Sequence, residues 1–110
     1  MLAQPSAILV DGQVAGGNAV TAVCSVGKNG QITGSGVLSG TNPGTGTKYS
    51  YPFSVSQGTT AGGKLVLTGK MAAGPAFALG VAVPAGDMAF SYVVNGTTVT
   101  LPGKGAVIVK

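Results

Sequence analysis

Residues 48–56 read KYSYPFSVS. Tyr49, Tyr51, Phe53 and Val55 fall on one face of an extended chain, and Ser50, Ser54 and Ser56 on the other. Alternation of large apolar residues with Lys48, Ser and Pro52 over nine positions is the pattern of a half-buried β-strand. Pro52 has no N–H for a ladder bond, so this strand is expected at a sheet edge or beside a bulge.

The same period runs outward from it. KLVLTGKM (64–71) points Leu65, Leu67 and Met71 to one side, and AFALGVAV (76–83) aligns Phe77, Leu79, Val81 and Val83. MAFSYVV (88–94) aligns Met88, Phe90, Tyr92 and Val94; Asn95–Gly96 is a type I′ hairpin signal that leads into TTVTL, with Thr97, Val99 and Leu101 together. Upstream, AVTAVCSV places Val20, Ala22, Cys24 and Val26 on one face. Asp11–Gly12 and Asn29–Gly30 read as hairpin turns, and Pro84–Asp87 and Pro102–Gly105 as further turns. Twenty Gly and six Pro leave no room for a helix of three turns. The expectation is an all-β fold: one domain over residues 1–110, a small antiparallel sandwich or barrel of about eight to nine short strands. At this length a second independent core would leave each part too small to be stable.

Charge is nearly absent. Six Lys and two Asp make up 7% of the chain, with no Arg, Glu, His or Trp, against about 25% charged residues in an average soluble domain. Eleven Thr outnumber all the charged residues together. The surface is therefore expected to be neutral Thr, Ser, Asn, Gly and Ala. The one cysteine, Cys24, has no intramolecular disulfide partner and sits on an apolar face, as a small buried hydrophobe does.

Residues 58–65, GTTAGGKL, imitate a phosphate-binding loop. Such a loop needs Ser or Thr after its Lys and a helix whose N-terminal amides meet the phosphates. Leu65 follows instead, and the chain continues with strand alternation; the stretch reads as a glycine-rich hairpin with Lys64 turned outward. Without His or Glu the ordinary general base is missing, and Asp11 and Asp87 stand beside glycines in expected turns. Clustered metal ligands are lacking. Scattered lysines without Arg do not make a specific nucleic-acid face, and no apolar run is long enough for a membrane-spanning helix.

The residues thus point away from an enzyme, a cofactor, a metal or a small-molecule substrate. A β-domain with so little charge to hold copies apart is expected to be a structural protein. It would act by self-association or lattice binding, as a virion coat or capsid-cement protein or an extracellular fibre subunit, with a homo-oligomer or repeating protein lattice as partner. The alternative is a secreted or periplasmic binding module for a glycan or small apolar ligand; a lipocalin-like barrel with an internal cavity is a third, which tight alternation and short length disfavour. The expected contact surface is Thr41, Asn42, Pro43, Thr45 and Thr47 in the longest loop, with Thr59 and Thr60 in the 57–63 loop. The opening MLAQPSAILVDG has no basic region and too short an apolar run for a signal peptide. The expected location is a virion or the extracellular space.

Overall fold

The computed structural model describes residues 7–110. Eight strands follow one another: β1 (Ala7–Val14), β2 (Asn18–Val26), β3 (Ile32–Thr41), β4 (Lys48–Ala61), β5 (Lys64–Met71), β6 (Ala76–Ala82), β7 (Ala85–Val94) and β8 (Thr97–Val109). Each pairs antiparallel with the next, and β8 returns to β1 from Ile8↔Val109 to Val14↔Gly103, closing an up-and-down barrel. Along the body of the barrel closure removes the free strand edge, with its row of unpaired N–H and C=O groups.

Alternation becomes inside and outside. Phe53 and Val55, Leu65, Leu67 and Met71, Phe77, Leu79 and Val81, and Met88 and Phe90 are all buried, as their spacing predicts. The middle of the barrel is filled by three phenylalanines: Phe53–Phe77 at 4.5 Å, Phe53–Phe90 at 5.4 Å, and Phe77–Phe90 at 5.6 Å with nearly parallel rings. Space for Phe53 comes from its register partner Gly36. A Cβ on Gly36 would lie 2.5 Å from Phe53 Cζ, so the glycine is a packing residue. Small inward residues facing large ones are how a narrow barrel fills its interior.

Several expected turns lie inside strands. Asp11–Gly12 is mid-β1, and the chain reverses three residues later, where Gly16 and Gly17 take φ of 85° and 74°. Pro102–Gly105 runs straight through β8, so the separate ninth strand does not form. Asp87 lies in β7 opposite Lys104. Val83, expected inward, is exposed at the end of β6. The Asn95–Gly96 turn is as expected, with both residues at positive φ (51° and 78°).

Both in-strand prolines sit where a neighbour strand has ended. The Pro52 carbonyl accepts from the Ala72 N–H at 2.8 Å, past the end of β5, and the Pro102 carbonyl accepts from the Ala15 N–H at 2.9 Å, past the end of β1. In an antiparallel ladder the nitrogen faces the same side as its own carbonyl, so neither proline removes a strand–strand bond.

Cys24 is buried, and desolvation pushes its thiol above the ordinary range. Native protein is therefore expected to leave Cys24 unlabelled by an aqueous thiol reagent, with labelling rising along the denaturant unfolding curve. Rapid labelling of the folded barrel would contradict this packing.

Candidate functional site

The turns β1–β2, β3–β4, β5–β6 and β7–β8 share one end of the barrel, and the wall there is uneven. The β4 residues Lys48–Pro52 pair with β3 alone, because β5 reaches β4 only from Phe53↔Met71 onward. Likewise Val93 and Val94 of β7 pair with β8 alone, since β6 stops at Phe77↔Tyr92. The β5–β6 hairpin turns early because Met71 is followed by Ala72–Pro75. The Gly74 φ is 112°, and the Met71 N–H donates to the Pro75 carbonyl at 2.8 Å. Between the taller β4 and β7 this leaves a notch.

The notch opens a cavity of about 720 Å³ lined chiefly by Tyr49, Tyr51, Tyr92, Leu38, Met71 and Leu101. These side chains continue the inward rows of the core up to the mouth. In the buried middle those rows carry Phe; at the rim they carry Tyr, whose ring is apolar and whose hydroxyl needs a polar partner or water. Tyr49 and Tyr51 stand 5.3 Å apart, centre to centre, and Tyr51 is 49% exposed. The strand-only reading puts Tyr51 in the core; the shortened β5–β6 hairpin uncovers it.

One side of the mouth is fixed by hydrogen bonds. The Tyr49 hydroxyl donates to Asn18 Oδ1, and Asn18 Nδ2 donates to the Ala15 carbonyl at 2.8 Å. Gly40, opposite Tyr49 in register, makes the room: a Cβ there would lie 2.7 Å from Asn18 Oδ1. Asn18 is thus a buried polar residue with both ends of its amide satisfied. No Lys or Asp lines the cavity.

The contact residues expected from sequence lie elsewhere. Thr41 ends β3, and Asn42, Pro43, Thr45 and Thr47 form the exposed β3–β4 loop. Its polar groups serve one another: Asn42 Oδ1 accepts from the Gly44 N–H at 2.9 Å, and Thr45 Oγ1 donates to Thr47 Oγ1 at 3.0 Å. Thr59 and Thr60 are on β4 near the opposite end, about 40 Å of strand from Thr47 at about 3.3 Å per residue. The two groups do not form one surface, and neither lines the cavity. The sequence signal for the mouth is that the tyrosines lie on the mouth side of the phenylalanines in the same strands: Tyr49 and Tyr51 precede Phe53 on β4, and Tyr92 follows Phe90 on β7.

The imitation phosphate loop is a tight turn at Gly62–Gly63, with φ of 61° and 76°; it leads directly into β5, and Lys64 is exposed. Asp87 is held below the usual carboxylate range by its hydrogen bond and ion pair with Lys104 on the open outer wall. Asp11 faces outward on β1. Among the described residues no group of three or more His, Cys, Asp or Glu side chains comes together, and no helix is long and apolar enough to cross a membrane. The chain matches no protein-family model, no curated protein and no solved structure.

Proposed function

We propose that the protein is a non-catalytic binding barrel that holds a small, uncharged, largely apolar ligand in the notch at its mouth. The observation that carries this reading is the cavity of about 720 Å³ walled by three tyrosines and aliphatic side chains without an ionic group. Its size is that of a small-molecule site, which typically measures about 300–1,000 Å³. A charged ligand would lose hydration here without a counter-charge. A glycan would need several free planar polar groups, whereas the one side-chain amide of the lining, Asn18, already bonds Tyr49 and Ala15. The phenol hydroxyls of Tyr51 and Tyr92 suit a ligand with a single polar end.

A structural role in a coat, cement layer or fibre, the first expectation from composition, would rely chiefly on the outer wall, because closure leaves only short unpaired strand segments at the notch, Lys48–Pro52 of β4 and Val93–Val94 of β7.

The chain carries its own reporter. It has three Tyr and no Trp, and all three tyrosines line the mouth, so intrinsic fluorescence responds there and nowhere else. Titration with a neutral naphthylamine probe is expected to give saturable quenching. Tyr51→Ala and Tyr92→Ala are each expected to weaken binding about tenfold, the loss of one aromatic contact. Absence of saturable binding across a series of neutral apolar probes would remove this reading.

A further inference from the structure

The two most exposed large apolar side chains of the described barrel, Val23 (59%) and Ile108 (53%), are not scattered. Both are register partners of Leu9: Leu9↔Val23 on one side and Leu9↔Ile108 on the other. Inward Ile8 and Val10 fix all three as outward-facing, so Val23, Leu9 and Ile108 make one apolar row across β2, β1 and β8. The next outward row toward the mouth is Thr21–Asp11–Ala106. The next one the other way is Ser25–Ala7–Lys110, with Ala7 and Lys110 joined by reciprocal backbone bonds at 3.2 and 2.9 Å. Asp11 is exposed and forms no ion pair among the described residues, whose single salt bridge is Lys104–Asp87.

This face is complementary to itself. A two-fold axis lying in the contact plane, across the strands and along the apolar row, places Val23, Leu9 and Ile108 on their own copies. It also reverses the order of the rows, so the Asp11 row of each copy meets the Lys110 row of the other. Asp11 then lies diagonally across from the second copy's Lys110, twice over, and Thr21 meets Ser25. The opposite arrangement, with the axis along the strands, sets Asp11 against Asp11. We propose that two copies of this chain associate through the β2–β1–β8 face in the first of these arrangements. Such an isologous contact closes on itself and ends at a dimer. Two convex barrel walls touch over less area than the roughly 800 Å² per partner of a standard interface, so the dimer is weak and concentration-dependent.

Sedimentation equilibrium from micromolar to millimolar protein tests it, with circular dichroism to check the fold of every variant. Wild type is expected to pass from monomer to dimer. Val23→Lys and Ile108→Lys, both outward changes that leave the interior intact, are expected to raise the dissociation constant at least about tenfold. Asp11→Lys and Lys110→Asp are each expected to weaken the dimer, and their combination to restore it. A monomer at every concentration overturns the proposal, as does a dimer indifferent to Val23 and Ile108. So does an open-ended assembly, or a monomer that dimerises only after removal of residues 1–6. Failure of the double charge reversal to restore association overturns the two-fold arrangement. None of these variants touches the mouth, so probe binding there reports independently.

Discussion

Phe90→Ala is expected to lower the unfolding free energy by about 3–5 kcal/mol, the range for removing a fully enclosed aromatic side chain. Phe90 has no exposed surface; its ring stacks on Phe77 and meets Phe53 and Tyr92 at 5.4 and 6.2 Å. Nothing in a closed barrel can collapse easily into the gap, because each strand is tied on both sides. A domain of this size is stable by only about 5–15 kcal/mol, so the variant should unfold at a much lower urea concentration. Val93, three residues along the same strand, points outward and is 38% exposed, and Val93→Ala is expected to stay within about 0.5 kcal/mol of wild type. Urea titrations of both variants check the contrast. A loss below about 1 kcal/mol for Phe90→Ala would mean that the interior is not packed around these rings.

Gly36→Ala is expected to destabilise by about 1–3 kcal/mol although it adds one methyl group to a strand. The added carbon would meet the Thr21 carbonyl oxygen and lie 2.5–2.7 Å from two ring atoms of Phe53. The strand itself cannot retreat, because β2 and β4 hold it on either side. Phe53→Leu removes the ring edge but not the carbonyl, so the double variant should be less than additive while still below Phe53→Leu alone. Strict additivity in a double-mutant cycle would show that the glycine and the ring do not share this space.

These two residues show where sequence reading succeeds and where it stops. Phe90 was legible: period two in MAFSYVV allows one buried face, and Phe90 is on it. Gly36 was not. A glycine between strand-like runs reads as a turn signal, and the same residue type serves as turn former at Gly62–Gly63 and as packing space at Gly36 and Gly40. Asp11–Gly12 misleads for the same reason. Whether a glycine bends the chain or admits a ring depends on what lies across the ladder, and that partner is up to tens of residues away.

The mouth was legible only in part. Tyr49, Tyr51 and Tyr92 stood out as inward positions, but their exposure depends on β5 and β6 ending early beside β4 and β7. The Thr-rich loop looked like the natural contact surface because it is long and polar. In the folded chain its polar groups bond to one another, and Thr59 and Thr60 belong to the far end of the same strand.

Local chemistry alone determined the strand faces, the Asn95–Gly96 reversal, the poverty of charge and the absence of His, Glu and Arg, because each rests on composition or on residues adjacent or alternating in the chain. The tertiary structure decided the closure of β8 on β1, the outward row formed by Val23, Leu9 and Ile108, and the notch above the β5–β6 hairpin. Those features depend on which strands become neighbours and where each one stops, and register between distant segments is set by the packing of the whole barrel.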